Sequence, residues 1–311
     1  MQSNYGNPVV TAERMKFDDL AWERSDNISN AWRDALFDKK VLREVGGFII
    51  KHGKGPAEEP FNPQKGSFNS MFRKKFLDAG SAIIRFPIPG VSMFPEGKVK
   101  RERSLVIRFI ERHTSVHVPH VLHYGMMDQT PAGLGPFIIM ENYSDLVDAL
   151  NTLRAPKTTI LMTNGKLRTR HFSINMNELL QMGHVPPHML PRTTFKTASA
   201  YFLALAEMHV IHLSMQRNDT IESTEDCRRK YIVRCLFRRL ARENWLCSHD
   251  NGPFKLFYDD SRPANILANS EIDFRVVEAI DWEFTYAAQV ESVYSLPSWL
   301  LLGRPKYWRG S

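Results

Sequence analysis

Apolar and polar positions change rhythm several times along the chain, and each change marks an element. Up to about residue 45 apolar residues recur at helical spacing, as in DDLAWERSDNISNAWRDALFDKKVLREVGGFI. That predicts amphipathic helix, with Asp18 placed to cap it and Gly46-Gly47 to end it. Residues 51–64 (KHGKGPAEEPFNPQ) are rich in Pro and Gly and read as a loop. From Gly66 the pattern shortens toward alternation: GSFNSMFRKKF, a turn at Asp78-Ala79-Gly80, then SAIIRFPIP, a hairpin running into a third strand. In PEGKVKRERSLVIRFIERHTS the apolar residues Val99, Leu105, Val106, Phe109 and Ile110 return to helical spacing between charges. VPHVLHYGMMD and GPFIIMENYS supply two more strands. The order β-β-β-α-β-β sets off Gly66 to Tyr143 as one unit.

Pro156, Pro186, Pro187 and Pro191 then bracket an insert without a clear period. Thr194 to Gln216 is apolar on all sides and predicts a buried helix, with Thr193 or Thr194 as its N-cap. RRKYIVRCLFRRLARENWL predicts a second helix with basic residues along one side. Strand-like stretches resume in FKLFYDDSRPANILANSEIDFRVVEAIDWEF, and the ending LLGRPKYWRGS leaves little room for further helices. Three regions follow: an N-terminal helical extension (1–65), a sheet-and-helix unit (66–143) and a mainly helical unit (144–311).

Composition narrows the class. The chain has 311 residues, 43% hydrophobic and 24% charged, which suits a globular protein of one large or two smaller domains. A formal charge of +7 favours anionic ligands. The basic clusters, Arg73-Lys74-Lys75 and Arg228-Arg229-Lys230, are too short for a nucleic-acid face. Cys227, Cys235 and Cys247 lack metal-binding or CxxC spacing and read as idle thiols of a reducing compartment. The eleven histidines show no HExxH, and His209 and His212 read as satisfied core residues. The N-terminus has no apolar signal region, and no apolar run approaches the length of a membrane span. The expectation is a cytoplasmic protein with no membrane or nucleic-acid partner; nothing in the sequence sets its oligomeric state.

The chemistry concentrates between Phe254 and Phe284. Asp260 is followed five residues later by Asn265, and an apolar strand then ends at Asp281. Phosphoryl transfer from a Mg-bound nucleotide needs such a set: one carboxylate for the acceptor hydroxyl, an amide and a second carboxylate for the metal. Arg262 can neutralise charge on the phosphoryl group. A turn stabilised by Asp and Asn side chains is the competing reading of Asp260 and Asn265, and an ion pair or N-cap that of Asp281. Asp259, Glu278 and Glu283 read as surface or supporting groups. Gly66, Ser67 and Asn69 can bring backbone amides to phosphates, or form an ordinary hairpin turn. Arg85 emerges from an apolar strand with Glu102 as its natural partner; Lys98 and Lys100 compete for its phosphate-binding role. Met140, Glu141 and Asn142 close the FIIMEN strand, where backbone groups can meet a base edge, although Met140 also reads as plain core.

The ordered segments GSFNSMF, SAIIRFPIPG, EGKVKRE, GLGPFIIMEN, FYDDSRPANIL and AIDWEFTYAA resemble those of the aminoglycoside-phosphotransferase and choline-kinase-like phosphotransferases, above all a large fungal group. The resemblance spans most of Gly66 to Trp308. It implies an α+β, bilobal protein-kinase-like fold, with a small antiparallel sheet plus helix and a larger helical lobe, and ATP and Mg2+ in the cleft. By that resemblance Asp260 is the catalytic Asp, Asn265 and Asp281 are the metal ligands, Arg85 stands at the strand-lysine position with Glu102 as its partner, and Met140 to Asn142 form the hinge. Tyr258 stands where the loop usually carries His, and Arg85 where it usually carries Lys. The implied function is transfer of the γ-phosphate to a small-molecule hydroxyl; the alternative is a nucleotide- or protein-binding module without turnover.

Overall fold

The computed structural model describes residues 19–53, 56, 62–77, 80–101, 106–142, 173–183, 185–191, 194–215, 221–268 and 276–295. Asp18, Asp78, Ala79, Glu102, Thr193 and the tail 296–311 therefore lie outside the described residues. The fold mixes helices with a five-stranded antiparallel sheet.

Two helices precede the sheet, α1 (Asp19–Leu36) and α2 (Lys39–His52). Asp38 starts α2 by accepting from the backbone N–H groups of Lys40 and Val41. The helix does not stop at Gly46-Gly47. It runs on to His52, with Gly46 buried, because Val45 and Ile49 are fully buried and anchor the turns on both sides of the glycine pair.

The sheet strands are β1 (Asn62–Lys65), β2 (Asn69–Lys75), β3 (Ser81–Pro87), β4 (Val121–Gly125) and β5 (Phe137–Asn142), in the order β1-β2-β3-β5-β4. All of β1 but Lys65 falls inside the stretch expected to be loop. It is an edge strand, so Pro63 is tolerated there. Between β3 and β4 lie the short helices α3 (Pro95–Arg101) and α4 (Arg108–His113).

Strand alternation sends two sets of side chains to opposite faces. Phe72, Ile84, Phe86, Phe137 and Ile139 are fully buried against Leu36, Val45 and Ile49 of α1 and α2. Each such side chain contributes about 1.5–3 kcal/mol through burial. Trp32 adds an indole hydrogen bond to the Leu134 carbonyl (2.6 Å). On the other face Ile138 and Met140 pack with Ile107 and Val121, and Arg85, opposite Ile138 in register, shares that face.

Gly90, beyond β3, is where α1 meets the sheet. Its φ is +84°, and a Cβ there would lie 2.6 Å from the Ser25 carbonyl oxygen, while Ser25 Oγ donates to the Gly90 carbonyl (2.8 Å). Gly90→Ala is expected to cost about 2 kcal/mol or more from the left-handed backbone and the clash. Denaturant unfolding checks this; a loss below about 0.5 kcal/mol would contradict it.

The remaining helices are α5 (Ile174–Gln181), within the insert that showed no clear period, α6 (Ala198–Met215) and α7 (Thr224–Arg242). α6 starts later than Thr194. Its first amides are held by Thr197 Oγ1, which accepts from Ala200, and by Asp250, whose carboxylate accepts from Ser199 at 2.7 Å. A distant side chain thus caps this helix. α7 packs along α6, and Arg234 donates to the His209 carbonyl. Burial holds His209 well below the usual imidazole range, at about 4, so it is neutral and structural.

Two antiparallel strand pairs carry the Phe254–Phe284 motif. β6 (Phe254–Tyr258) pairs with β9 (Thr285–Gln289), and β7 (Ile266–Ala268) pairs with β8 (Val276–Ala279). A last short helix, α8, spans Val290–Val293. Among the described residues no helix is long and apolar enough to cross a membrane.

Candidate functional site

The loop after β6 turns tightly because Ser261 N–H donates to the Tyr258 carbonyl (3.2 Å) and Pro263–Asn265 forms a 3-10 turn closed by Asn265 N–H on the Arg262 carbonyl (2.9 Å). Asp260 lies at the start of this loop and Asn265 at its end. Asn265 is only 4% exposed. Its Nδ2 donates twice to Asp260, to the backbone carbonyl at 2.9 Å and to carboxylate Oδ2 at 3.0 Å. The amide nitrogen is therefore committed, and its Oδ1 is the atom left to meet a cation. Arg262 Nε stands 3.2 Å from the other Asp260 oxygen, Oδ1.

Asp281 reaches the same place through the β7–β8 ladder. Ile266 pairs with Ala279, and just beyond that pair Ile280 N–H donates to the Asn265 carbonyl (2.9 Å). Asn265 and the residue preceding Asp281 are thus hydrogen-bonded neighbours. Asp281 itself has φ +65°, a left-handed conformation that Asp and Asn tolerate better than most residues.

The turn around Asp281 is fixed from several sides. Tyr258 donates its hydroxyl to the Ile280 carbonyl, and its ring stacks on Trp282 (centroids 4.5 Å apart). Trp282 Nε1 donates to the Ala279 carbonyl (2.7 Å). Trp282 enters a core with Val106 and Ile110, while Phe284 enters another with Met176 and Tyr201. Tyr258 therefore ties the Asp260 loop to the Asp281 turn by one hydrogen bond and one ring contact.

Arg85 has a carboxylate partner that the sequence did not suggest. Its Nη1 forms an ion pair with Asp281 Oδ1 at 2.9 Å; the two side chains are 3% and 18% exposed. Register explains the contact. Arg85 shares the sheet face of Ile138 and Met140, and that face looks toward the Asp281 turn. The anticipated partner, Glu102, is outside the described residues.

The β1–β2 turn, read as a phosphate loop or an ordinary hairpin, has the local bonding of a hairpin. Gly66 N–H is taken by the Asn69 carbonyl (2.8 Å), closing an ordinary hairpin turn, and Ser67 is exposed. Asn69 Nδ2 donates to Glu283 Oε1 (3.1 Å) across 214 residues of sequence, and Phe68 meets Phe284 edge to face. The turn thus docks on the segment after Asp281. At the other end of the sheet Met140 is core, and Glu141 N–H donates to the His120 carbonyl (2.9 Å), so this amide is not available to a base. The backbone of Asn142 continues β5 opposite Ser81.

Of three acids taken for surface or supporting groups, Glu278 and Glu283 are buried and Asp259 is partly buried. Glu283, 1% exposed, holds Asn69. Asp259 accepts from the first amide of α5 at Ile174 (3.0 Å), and burial pushes its carboxyl up to about 6. Glu278 is 3% exposed; burial, and then the charge of Glu141, push it up to about 7. The signal in the sequence was their place in or beside apolar strands, where successive side chains alternate between the two faces and a polar one can be carried inward.

Glu278 gives a pH test. Its folded carboxyl titrates near 7 against an ordinary value of 4.5, so the native state binds the proton more tightly than the unfolded chain. Stability then falls as pH rises through this interval, by on the order of 2 kcal/mol. Glu278→Gln is expected to raise Tm at pH 8 and to gain little at pH 5. Parallel melts at the two pH values measure the gap; one that is independent of pH would contradict the assignment.

A magnesium ion fits the donor set. The Asn265 amide oxygen and the Asp281 carboxylate are hard oxygen ligands on adjacent backbone, and Mg2+ commonly takes one or two protein oxygens and completes its shell with phosphate and water. Among the described residues no group of three or more His, Cys, Asp or Glu is placed to hold a metal.

No family model matches the chain, and no curated protein matches it. Among solved structures it is similar to the apoenzyme of a macrolide 2'-phosphotransferase from Brachybacterium faecium, at 14% identity and TM-score 0.40, covering 80% of this chain and 74% of that one. It is also similar to a type I macrolide 2'-phosphotransferase, at 12% identity and TM-score 0.39, covering 81% of this chain and 74% of the other.

Proposed function

We propose that the chain is an ATP- and Mg2+-dependent phosphotransferase that moves the γ-phosphoryl group to a hydroxyl of a small molecule, in the cleft of a bilobal, protein-kinase-like fold. The observation that carries this reading is the position of Asn265. Its side chain is bonded to Asp260 and its backbone carbonyl to the N–H of Ile280, so one residue ties the Asp260 loop to the strand end that carries Asp281.

In this reading Asp260 orients the acceptor hydroxyl and takes its proton as the oxygen attacks phosphorus and the bond to the β-phosphate oxygen breaks. Asn265 Oδ1 and the Asp281 carboxylate hold the metal, which when bound neutralises the phosphate charge. Arg262, beside Asp260, faces the charge that develops on the transferred group. Arg85 holds phosphate oxygens in place of a strand lysine, with Glu102 as its support. The base lies along Met140 to Asn142, using backbone groups other than the Glu141 N–H, and Gly66 and Ser67 flank the phosphates.

The test is an ATP-consumption screen over amino alcohols, sugars and aminoglycosides, with Asp281→Asn protein as the control. Acceptor-dependent consumption that vanishes in the control is the expected result. Consumption that persists in the control would remove Asp281 from the site.

A nucleotide-binding module without turnover is the second reading. The Arg85–Asp281 ion pair favours it, because an oxygen needed by a metal already faces a permanent cation. Stabilisation by ATP and Mg2+ without consumption across the panel would select this reading over the first.

A further inference from the structure

Each carboxylate of the candidate site faces an arginine, but the two pairs are built differently. Arg262 is 40% exposed as a whole and lies two residues from Asp260, so its 3.2 Å contact is local in sequence, with the Nε itself shielded from solvent. Arg85 is 3% exposed and reaches Asp281 across 196 residues of sequence. Its backbone sits in a central strand, with Met71 on one side and Ile138 on the other, so the strand cannot yield. The partner is equally constrained, because the Asp281 turn is pinned by Tyr258 and Trp282.

Arg85 cannot discharge itself, since a guanidinium stays protonated in proteins. A buried cation keeps an anion beside it. A metal ion at Asn265 and Asp281 would need the carboxylate that Arg85 now faces. Two cations on one carboxylate repel each other, and more strongly where burial thins the surrounding water. A polyphosphate supplies what resolves the conflict: oxygens for the five N–H donors of the guanidinium, and a second set of oxygens for the metal.

We propose that Arg85 and the divalent cation are alternative partners of Asp281, and that an arriving polyphosphate draws Arg85 off the carboxylate and so opens the metal site. The proposal rests on the phosphotransferase reading and adds an order to it. Phosphate binds through Arg85 without a divalent cation, whereas the cation without phosphate meets a closed site. The exchange is a side-chain movement at the end of a fixed strand. Polyphosphate and metal are then coupled ligands, with a factor typical of coupled sites, about 5- to 150-fold.

The test uses the full chain with Mn2+ alone, followed by electron paramagnetic resonance, and inorganic triphosphate in EDTA, followed by calorimetry. Arg85→Met is expected to bind Mn2+ alone about tenfold more tightly than the parent protein and to lose about tenfold in triphosphate affinity. Arg239→Met, which removes an exposed cation of α7 outside the site, is expected to leave Mn2+ affinity within about threefold. If it tightens Mn2+ as much as Arg85→Met, a general charge effect is at work and the exchange is wrong. The exchange is equally wrong if Arg85→Met does not tighten Mn2+ at all.

Asp281→Asn tests the converse and decides the matter if Arg85→Met does not fold. Relieved of the Asp281 carboxylate, Arg85 is expected to bind triphosphate in EDTA at least about fivefold more tightly than in the parent, and by a larger factor than in Asp260→Asn. An equal gain in the two variants overturns the proposal. A parent protein that binds Mg-ATP while Arg85→Met behaves like the parent sinks only the exchange. A parent protein that binds neither Mg-ATP nor triphosphate sinks the phosphotransferase reading, and the exchange with it.

Discussion

Asp260→Asn is expected to lower phosphoryl transfer by about two to four orders of magnitude and to leave nucleotide affinity within about threefold, the range typical of a lost general base. The substitution keeps the shape of the side chain. It also keeps the Asn265 bond to the backbone carbonyl of residue 260, so the loop retains its closure. What it removes is the atom that takes the proton and the negative partner of Arg262. The nucleotide is held elsewhere in this reading, at Asn265, Asp281 and Arg85, so affinity and turnover separate. Single-turnover transfer to the best acceptor and calorimetric titration with Mg-ATP measure the two quantities. Full activity in this variant would strip Asp260 of its role.

Asp281→Asn is expected to abolish Mg2+-dependent nucleotide binding and to reduce turnover by at least about two orders of magnitude, because an amide replaces the one charged ligand at the metal. Asn suits the left-handed backbone at φ +65°, so the turn itself is preserved, whereas Ala would add strain. The cost to stability comes from Arg85. Its guanidinium is 3% exposed and loses the carboxylate 2.9 Å away, and breaking a buried ion pair from one side costs as much as about 3 kcal/mol. Tm should therefore fall, while the far-ultraviolet dichroism of the folded state is unchanged. A variant that melts like the parent and still binds Mg-ATP as tightly would show that neither the ion pair nor the metal depends on this residue.

Local signals located most elements. Alternation in SAIIRFPIP and FIIMEN matches β3 and β5, and the all-round apolar stretch after Thr194 matches α6. Where expectation and structure differ, the deciding contact came from far away. Gly46-Gly47 reads as a stop by local rules, yet α2 continues because Val45 and Ile49 are buried on the sheet. The Pro-rich stretch before Gly66 holds β1 because β2 offers it an open edge. α6 begins at Ala198 because Asp250 caps it. The candidate site follows the same division. The spacing of Asp260 and Asn265 is local and was legible, while the contact between Arg85 and Asp281 was not.

The chain's own pattern picked out candidate residues for chemistry and most of the segments that are strand or helix, since both signals depend on neighbours a few positions apart. Tertiary structure alone decided that Asp281 faces Arg85, that Glu283 holds Asn69, and that α1 and α2 cover the outer face of the sheet. Those pairings join residues separated by tens to hundreds of positions. A periodic pattern records which face of an element is apolar; which other element meets that face is set only when the whole chain packs.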